Sequence, residues 1–274
     1  MKNISNFEEF LILKEGINLD PSDIFGLKIN IIRNSDNSND DFIINRSGSY
    51  YKKMLRKIPV YYGFEPNPIK GFSESKISEI YNTIKVKDES KISYIEDLKK
   101  LVILTSPSSI PFNKIIIPQS GSVINFTVAK ILAKKYGNIP ESNIYTVPKL
   151  EYLPKDMVNR DKYEKSDPIT KGIVDSWVKC VKNKKGETTP IHIKKSGYDG
   201  ECGLQTGGRS LLNPVFAIPK IFSSRDKILI VDDFIITGTT IAEISKTLIE
   251  DGIPPENIYS YVLGVKKFSK EVEY

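Results

Sequence analysis

Residues 227–250, KILIVDDFIITGTTIAEISKTLIE, restrict what this chain can become more than any other stretch. Ile228, Leu229, Ile230 and Val231 run without polar alternation into Asp232 and Asp233. An unbroken apolar run of that kind suits a strand buried on both faces, as in a parallel sheet. Phe234, Ile235 and Ile236 form a spacer, and Thr237-Gly238-Thr239-Thr240 a loop of small residues. Ile241, Ile244, Leu248 and Ile249 then recur at helical spacing. The reading is strand, loop, helix. The loop lies at a helix N-terminus, where unsatisfied N–H groups and the helix dipole attract phosphate. The two carboxylates repel phosphate. They suit hydroxyls, a sugar diol for example, or a magnesium ion held through water. A Walker-type loop is excluded, because no Gly-Lys-Ser/Thr follows. The plain alternative is a doubly wound turn with an Asp-capped helix.

A second unit repeats the pattern at residues 114–137, KIIIPQSGSVINFTVAKILAKKYG. Ile115, Ile116 and Ile117 read as a buried strand, residues 118–122 as a tight loop, and Val123, Phe126, Ala129 and Leu132 as one helix face, with Gly137 as its stop. GNIPESNIY, ending at Tyr145, and GIPPENIY, ending at Tyr259, echo one another after the two helices. Each leads into a strand, at 144–147 and 258–265. Strand–helix–strand therefore occurs twice, with right-handed crossovers expected, and ligands should collect at the carboxyl ends of the strands.

The combination of acid pair and phosphate loop resembles the phosphoribosyl pyrophosphate (PRPP) motif of the type I phosphoribosyltransferases. The resemblance covers about residues 92–265 and is strong over 227–240. It implies an α/β fold: a parallel doubly wound sheet of that family's kind, with an N-terminal α+β extension (1–90, a candidate hood), a core (91–274) and a long insertion (148–222) before the motif. By resemblance, Asp232 and Asp233 hold the ribose hydroxyls and Mg2+, and Ile236, Thr237, Gly238, Thr239 and Thr240 form the 5'-phosphate loop. Gln119, Ser120, Gly121 and Ser122 stand where the family binds pyrophosphate, in a Pro-x-Ser-Gly form nearest to that of the glutamine-dependent amidotransferases. Residues 192–210, rich in glycine, match the mobile loop before the motif, with Lys194, Lys195 and Arg209 facing pyrophosphate; Lys195 and Arg209 join Asp232 and Asp233 as the catalytic set. The implied reaction moves the phosphoribosyl group of PRPP to a nitrogen nucleophile, a nucleobase or related acceptor, with release of pyrophosphate. The alternative is a non-catalytic PRPP sensor; residues 1–100 show no helix-turn-helix to accompany it. A weaker third reading is a phosphatase-like or other nucleotide-binding protein. Two departures stand out. Ile236 replaces the Asp that purine-salvage members use on the base, and the sequence ends nine residues after the 258–265 strand, so a usual C-terminal strand is missing or supplied elsewhere.

Composition excludes several other chemistries. A single histidine, His192, rules out multi-histidine metal sites and leaves little for a histidine triad. Cys180 and Cys202 make no framework and read as buried or incidental thiols. The net charge of +6 comes mostly from dispersed lysines, which read as a solvated surface, so no nucleic-acid partner is expected. No apolar stretch is long enough to span a bilayer, and the acid-bearing N-terminus lacks a signal pattern, so a cytoplasmic protein, compatible with a homodimer, is expected. Elsewhere the patterns predict helices at 7–13, 73–85, 92–104 and 168–182, and strands at 26–34, 40–47, 60–62, 191–194 and 215–218. Trp177, on the 168–182 helix, reads as a core anchor rather than a stacking platform.

Overall fold

The computed structural model describes residues 15–19, 29–33, 42–44, 58–66, 95–120, 122–152, 156–185, 189–190, 206–235 and 238–265. Eight strands form one sheet: β1 (Glu15–Leu19), β2 (Ile29–Arg33), β3 (Phe42–Ile44), β4 (Val60–Pro66), β5 (Lys114–Pro118), β6 (Ile144–Val147), then β9 (Ile228–Ile235) and β10 (Ile258–Val265). A short antiparallel pair, β7 (Glu151–Tyr152) with β8 (Thr189–Pro190), stands apart. The order in the sheet is β2-β1-β3-β4-β10-β9-β5-β6. The five strands from β4 to β6 are parallel to one another, and β1 to β3 extend the β4 edge in antiparallel fashion.

The described helices are α1 (Ile95–Thr105), α2 (Ile124–Lys135), α3 (Arg160–Glu164), α4 (Pro168–Lys185) and α5 (Thr239–Glu250). They cover both faces of the parallel sheet. Ile115, Ile117, Leu229 and Val231 join one core with α1 and α2; Ile116, Ile228, Ile230 and Val262 join another with α4 and α5. This two-sided burial is why the β9 run has no polar alternation. Trp177 is buried in the second core as an anchor.

Several expectations change in detail. β9 does not stop at Val231 but continues through the acid pair to Ile235. The cause is its neighbour: β10 keeps pairing alongside, Val262 opposite Asp232 and Gly264 opposite Phe234. Gly264 makes that continuation possible. A Cβ there would lie 2.6 Å from the Phe234 ring and 2.8 Å from the Phe64 ring, which meet edge to face at 5.5 Å. The 60–62 strand is longer, and β4 sits beside β10, parallel to it. Residues 215–218 make no regular strand, only an isolated bridge from Phe216 to Lys149. Their backbone is held by single bonds, Leu150 N–H to the Val215 carbonyl and Ala217 N–H to that of Pro148, too few for a ladder. The segments called at 7–13, 73–85 and 191–194 lie outside the described residues.

Opposite the carboxyl edge, Asp226 ties the two central units together. It pairs with Lys114 at 3.1 Å and accepts from the Ser223 N–H at 2.7 Å. Burial alone would raise its carboxyl; the Ser223 and Lys114 contacts outweigh this and hold it below the usual range.

Candidate functional site

β5 and β9 are adjacent parallel strands in register, Ile116 opposite Ile230. Carried two residues further, that register sets Pro118 level with Asp232. The loops that follow the two strands therefore leave the same edge of the sheet, where open α/β sheets take their ligands.

Asp232 and Asp233 are both buried. The Asp232 Oδ1 accepts from the Asn125 side-chain amide at 3.2 Å and from the Asp233 N–H at 3.0 Å. The Asp233 Oδ1 accepts from the Phe234 N–H at 2.7 Å. N–H and amide donors are the partners that stabilise an ionised carboxylate. Among the described residues, no group of three or more His, Cys, Asp or Glu side chains is placed to hold a metal. Two hard carboxylates still suit Mg2+, which takes few protein ligands and completes its shell with phosphate oxygens and water.

α5 begins at Gly238, which adopts a left-handed conformation (φ 72°) and supplies no side-chain cap. That conformation suits glycine and admits the chain into the helix at a sharp angle. Thr239 and Thr240 are half-buried in the first turn. Ile236 and Thr237 lie outside the described residues.

Arg209 is described and does not stand apart as a solvent-facing arginine. It is buried in the 3-10 turn Thr206–Leu211, and its Nη1 donates to the Thr239 hydroxyl at 2.9 Å. Its carbonyl accepts from Lys246 Nζ at 3.1 Å, and Lys246 lies 4.0 Å from the Glu243 carboxylate. Burial is the main cause raising the Glu243 carboxyl, with Lys246 and Arg209 opposing it, and burial lowers the Lys246 ammonium. Arg209 is thus tied to the first turn of α5 through Thr239. Lys194 and Lys195, its expected companions, lie outside the described residues.

The 118–122 loop is more self-contained. The Gln119 N–H donates to the Val147 carbonyl at 2.8 Å, extending the pairing of β5 with β6. Ser120 Oγ donates to the Ser122 carbonyl at 2.9 Å and accepts from the Ser122 N–H at 3.2 Å. Ser122 Oγ accepts from the Ile124 N–H at 3.3 Å, and the N-cap of α2, Val123, makes no side-chain cap bond. Gly121 lies outside the described residues.

Three residues of this edge escaped the sequence reading: Asn125, Glu243 and Lys246. Glu243 and Lys246 follow Thr239 by four and seven positions, so helical spacing could have found them. Asn125 carried no such signal, because its partner is 107 residues away.

Cys180, on α4, is disulfide-bonded, and Cys202 lies outside the described residues. The expectation of a thiol at Cys180 is thereby corrected. The pairing could not be read from the sequence, since spacing alone says nothing of approach in space. No helix is long and apolar enough to cross a membrane among the described residues.

Comparison with known proteins adds no relative: no protein-family model matches the chain, and no curated protein matches it.

Proposed function

We propose that this chain is a phosphoribosyltransferase: it binds PRPP and moves its 5-phosphoribosyl group to a nitrogen nucleophile, releasing pyrophosphate. One observation carries the reading. A buried acid pair at the carboxyl end of β9 is followed, within one short loop, by a helix entered through a left-handed glycine. That arrangement joins acceptors for sugar hydroxyls to N–H donors for a phosphate, in the order of the PRPP motif.

In this reading Asp232 and Asp233 accept hydrogen bonds from the ribose hydroxyls. The first turn of α5 receives the 5'-phosphate, with Arg209 against Thr239 supplying positive charge beside it. The bond from C1' to the pyrophosphate oxygen breaks, and its electron pair leaves with pyrophosphate. The lone pair of the incoming nitrogen forms the new bond to C1', and that nitrogen then loses its proton. Mg2+, held by the Asp232 and Asp233 carboxylates together with ligand oxygens, would supply charge neutralisation for the leaving group. The chain's own part is to orient the sugar and to exclude water from an activated C1'.

A binding-only sensor remains the second reading, and one observation favours it. The N–H groups of Gln119 and Ser122 already have partners within the protein, which leaves the 118–122 loop fewer donors for pyrophosphate.

The test is thermal unfolding with and without Mg-PRPP. A ligand at about 100 times its dissociation constant stabilises by roughly 2.7 kcal/mol. An unchanged Tm at saturating Mg-PRPP overturns both readings. Binding with pyrophosphate release, across a panel of bases and amines, selects the transferase; binding without release selects the sensor.

A further inference from the structure

We propose that Asn125 is a positioning residue for the acid pair: its amide orients the Asp232 carboxylate, and through it sets how strongly the site prefers a sugar bearing its hydroxyls. The inference rests on the phosphoribosyl reading above and assigns that site a residue from a different unit of the fold.

Asn125 lies in the first turn of α2, on the helix face that also buries Ile124, Val128, Ala129 and Leu132. Only 2% of it is exposed. An amide is a poor choice there for stability, since asparagine is among the weaker helix formers and the surrounding face is apolar. Its side chain makes one contact of note, Nδ2 to Asp232 Oδ1 at 3.2 Å, while its own Oδ1 is buried with no hydrogen-bond partner.

That asymmetry is informative. Turning the amide over would set two acceptors face to face, so the charge on Asp232 fixes which way it points. A buried acceptor left without a donor is unfavourable, and such a group in a folded protein calls for an explanation. Packing offers none, because an apolar side chain of the same size would fill the space. The contact that accounts for the residue is the one to the carboxylate.

The contact also completes a geometry. The Asp233 N–H reaches the same oxygen, Asp232 Oδ1, at 3.0 Å. Two donors on one oxygen, from two different elements, restrict how the carboxylate can turn. One donor comes from β9 itself and the other from α2, so the aim of Asp232 depends on where α2 starts after β5. Asn125 therefore connects the 118–122 loop, which α2 follows directly, to the acids of the neighbouring strand.

The test compares ribose 5-phosphate with 2-deoxyribose 5-phosphate by calorimetry, with and without Mg2+, on the full chain and on Asn125→Ala. One lost hydrogen bond to a charged group corresponds to about a tenfold preference for the ribose form in the natural chain. In Asn125→Ala that preference falls to about twofold, while affinity for the deoxy form changes less than about twofold. A residue of purely structural value would weaken both ligands alike. Asn125→Asp, which keeps size and shape but sets a carboxylate against Asp232, abolishes the preference as well; it stands in if the alanine variant does not fold. Full preference for ribose in the folded variants overturns the proposal. A preference that disappears only when Mg2+ is present also overturns it, assigning Asn125 to a hydrated cation instead of a sugar hydroxyl. If the natural chain binds neither sugar phosphate, the phosphoribosyl reading itself fails.

Discussion

The units β5–loop–α2 and β9–loop–α5 look alike in sequence and sit side by side in the sheet, yet they begin their helices in different ways. The loop of the first is closed by its own groups: Ser122 Oγ takes the Ile124 N–H, Ser120 braces Ser122, and the Gln119 N–H pairs with Val147. The second relies on backbone shape: Gly238 turns left-handed, no side chain caps α5, and the basic group in reach is Arg209 from a distant turn. A helix start that satisfies itself is built for stability. One whose loop makes fewer such bonds has N–H donors to offer a ligand. Similar strand–loop–helix patterns can thus serve different ends, and the difference lies in where the N–H groups are committed.

The contrast can be attacked at three points. The largest effect is expected from Gly264→Val. The new side chain would drive into Phe234 and Phe64, and the end of β9 that carries the acid pair would have to move. Overpacking of this kind costs about 3 kcal/mol, a fall in Tm on the order of 10 °C. A thermal melt checks it, and an unshifted Tm would mean that the two rings do not pin β9.

An intermediate effect belongs to Gly238→Ala, which puts a Cβ into a left-handed conformation at a cost of about 1–2 kcal/mol. Asparagine visits that region readily, so Gly238→Asn should recover most of the loss in a denaturant titration. Equal losses for the two variants would show that crowding, and not backbone shape, makes this position glycine.

The smallest effect is Ser122→Ala. Losing the bond to the Ile124 N–H costs about 0.5 kcal/mol, the low end for a hydrogen bond and appropriate to one as long as 3.3 Å. Exchange of the Ile124 amide should quicken, and affinity for a sugar phosphate should hold. Were the affinity to fall instead, the β5 unit would be as much a ligand cradle as the β9 unit, and the distinction drawn between them would collapse.

The chain announced its core elements clearly. Unbroken apolar runs at 115–117 and 228–231 read as strands buried on both faces and are such strands, and β10 occupies the span 258–265 that its sequence echo suggested. Three matters were not legible, each for a physical reason. The extension of β9 through Asp232 and Asp233 depends on β10 pairing beside it, a non-local contact. The place of β4 next to β10 joins residues 200 apart, Tyr61 with Tyr261, and no local pattern encodes that. At the site, the acid pair and Gly238 were visible because their chemistry is compressed into one stretch. Asn125 and the position of Arg209 were not, because each acquires its meaning from a residue on another element.

One feature of the sheet bears on how the molecule is assembled. β10, the last of the described strands to leave the ribosome, lies between β4 and β9. Until residues 258–265 emerge, β4 has no parallel partner, and β9 has an open edge of Ile, Leu and Val backbone where β10 will later lie. Such an edge is a template for unwanted pairing with other chains. The parallel sheet can therefore close only once residues 258–265 have been made, by insertion of β10 between β4 and β9. Its many contacts between residues far apart in sequence make that step slow by nature. The acid pair, on one of the two strands that β10 joins, is set in its final geometry only at that moment.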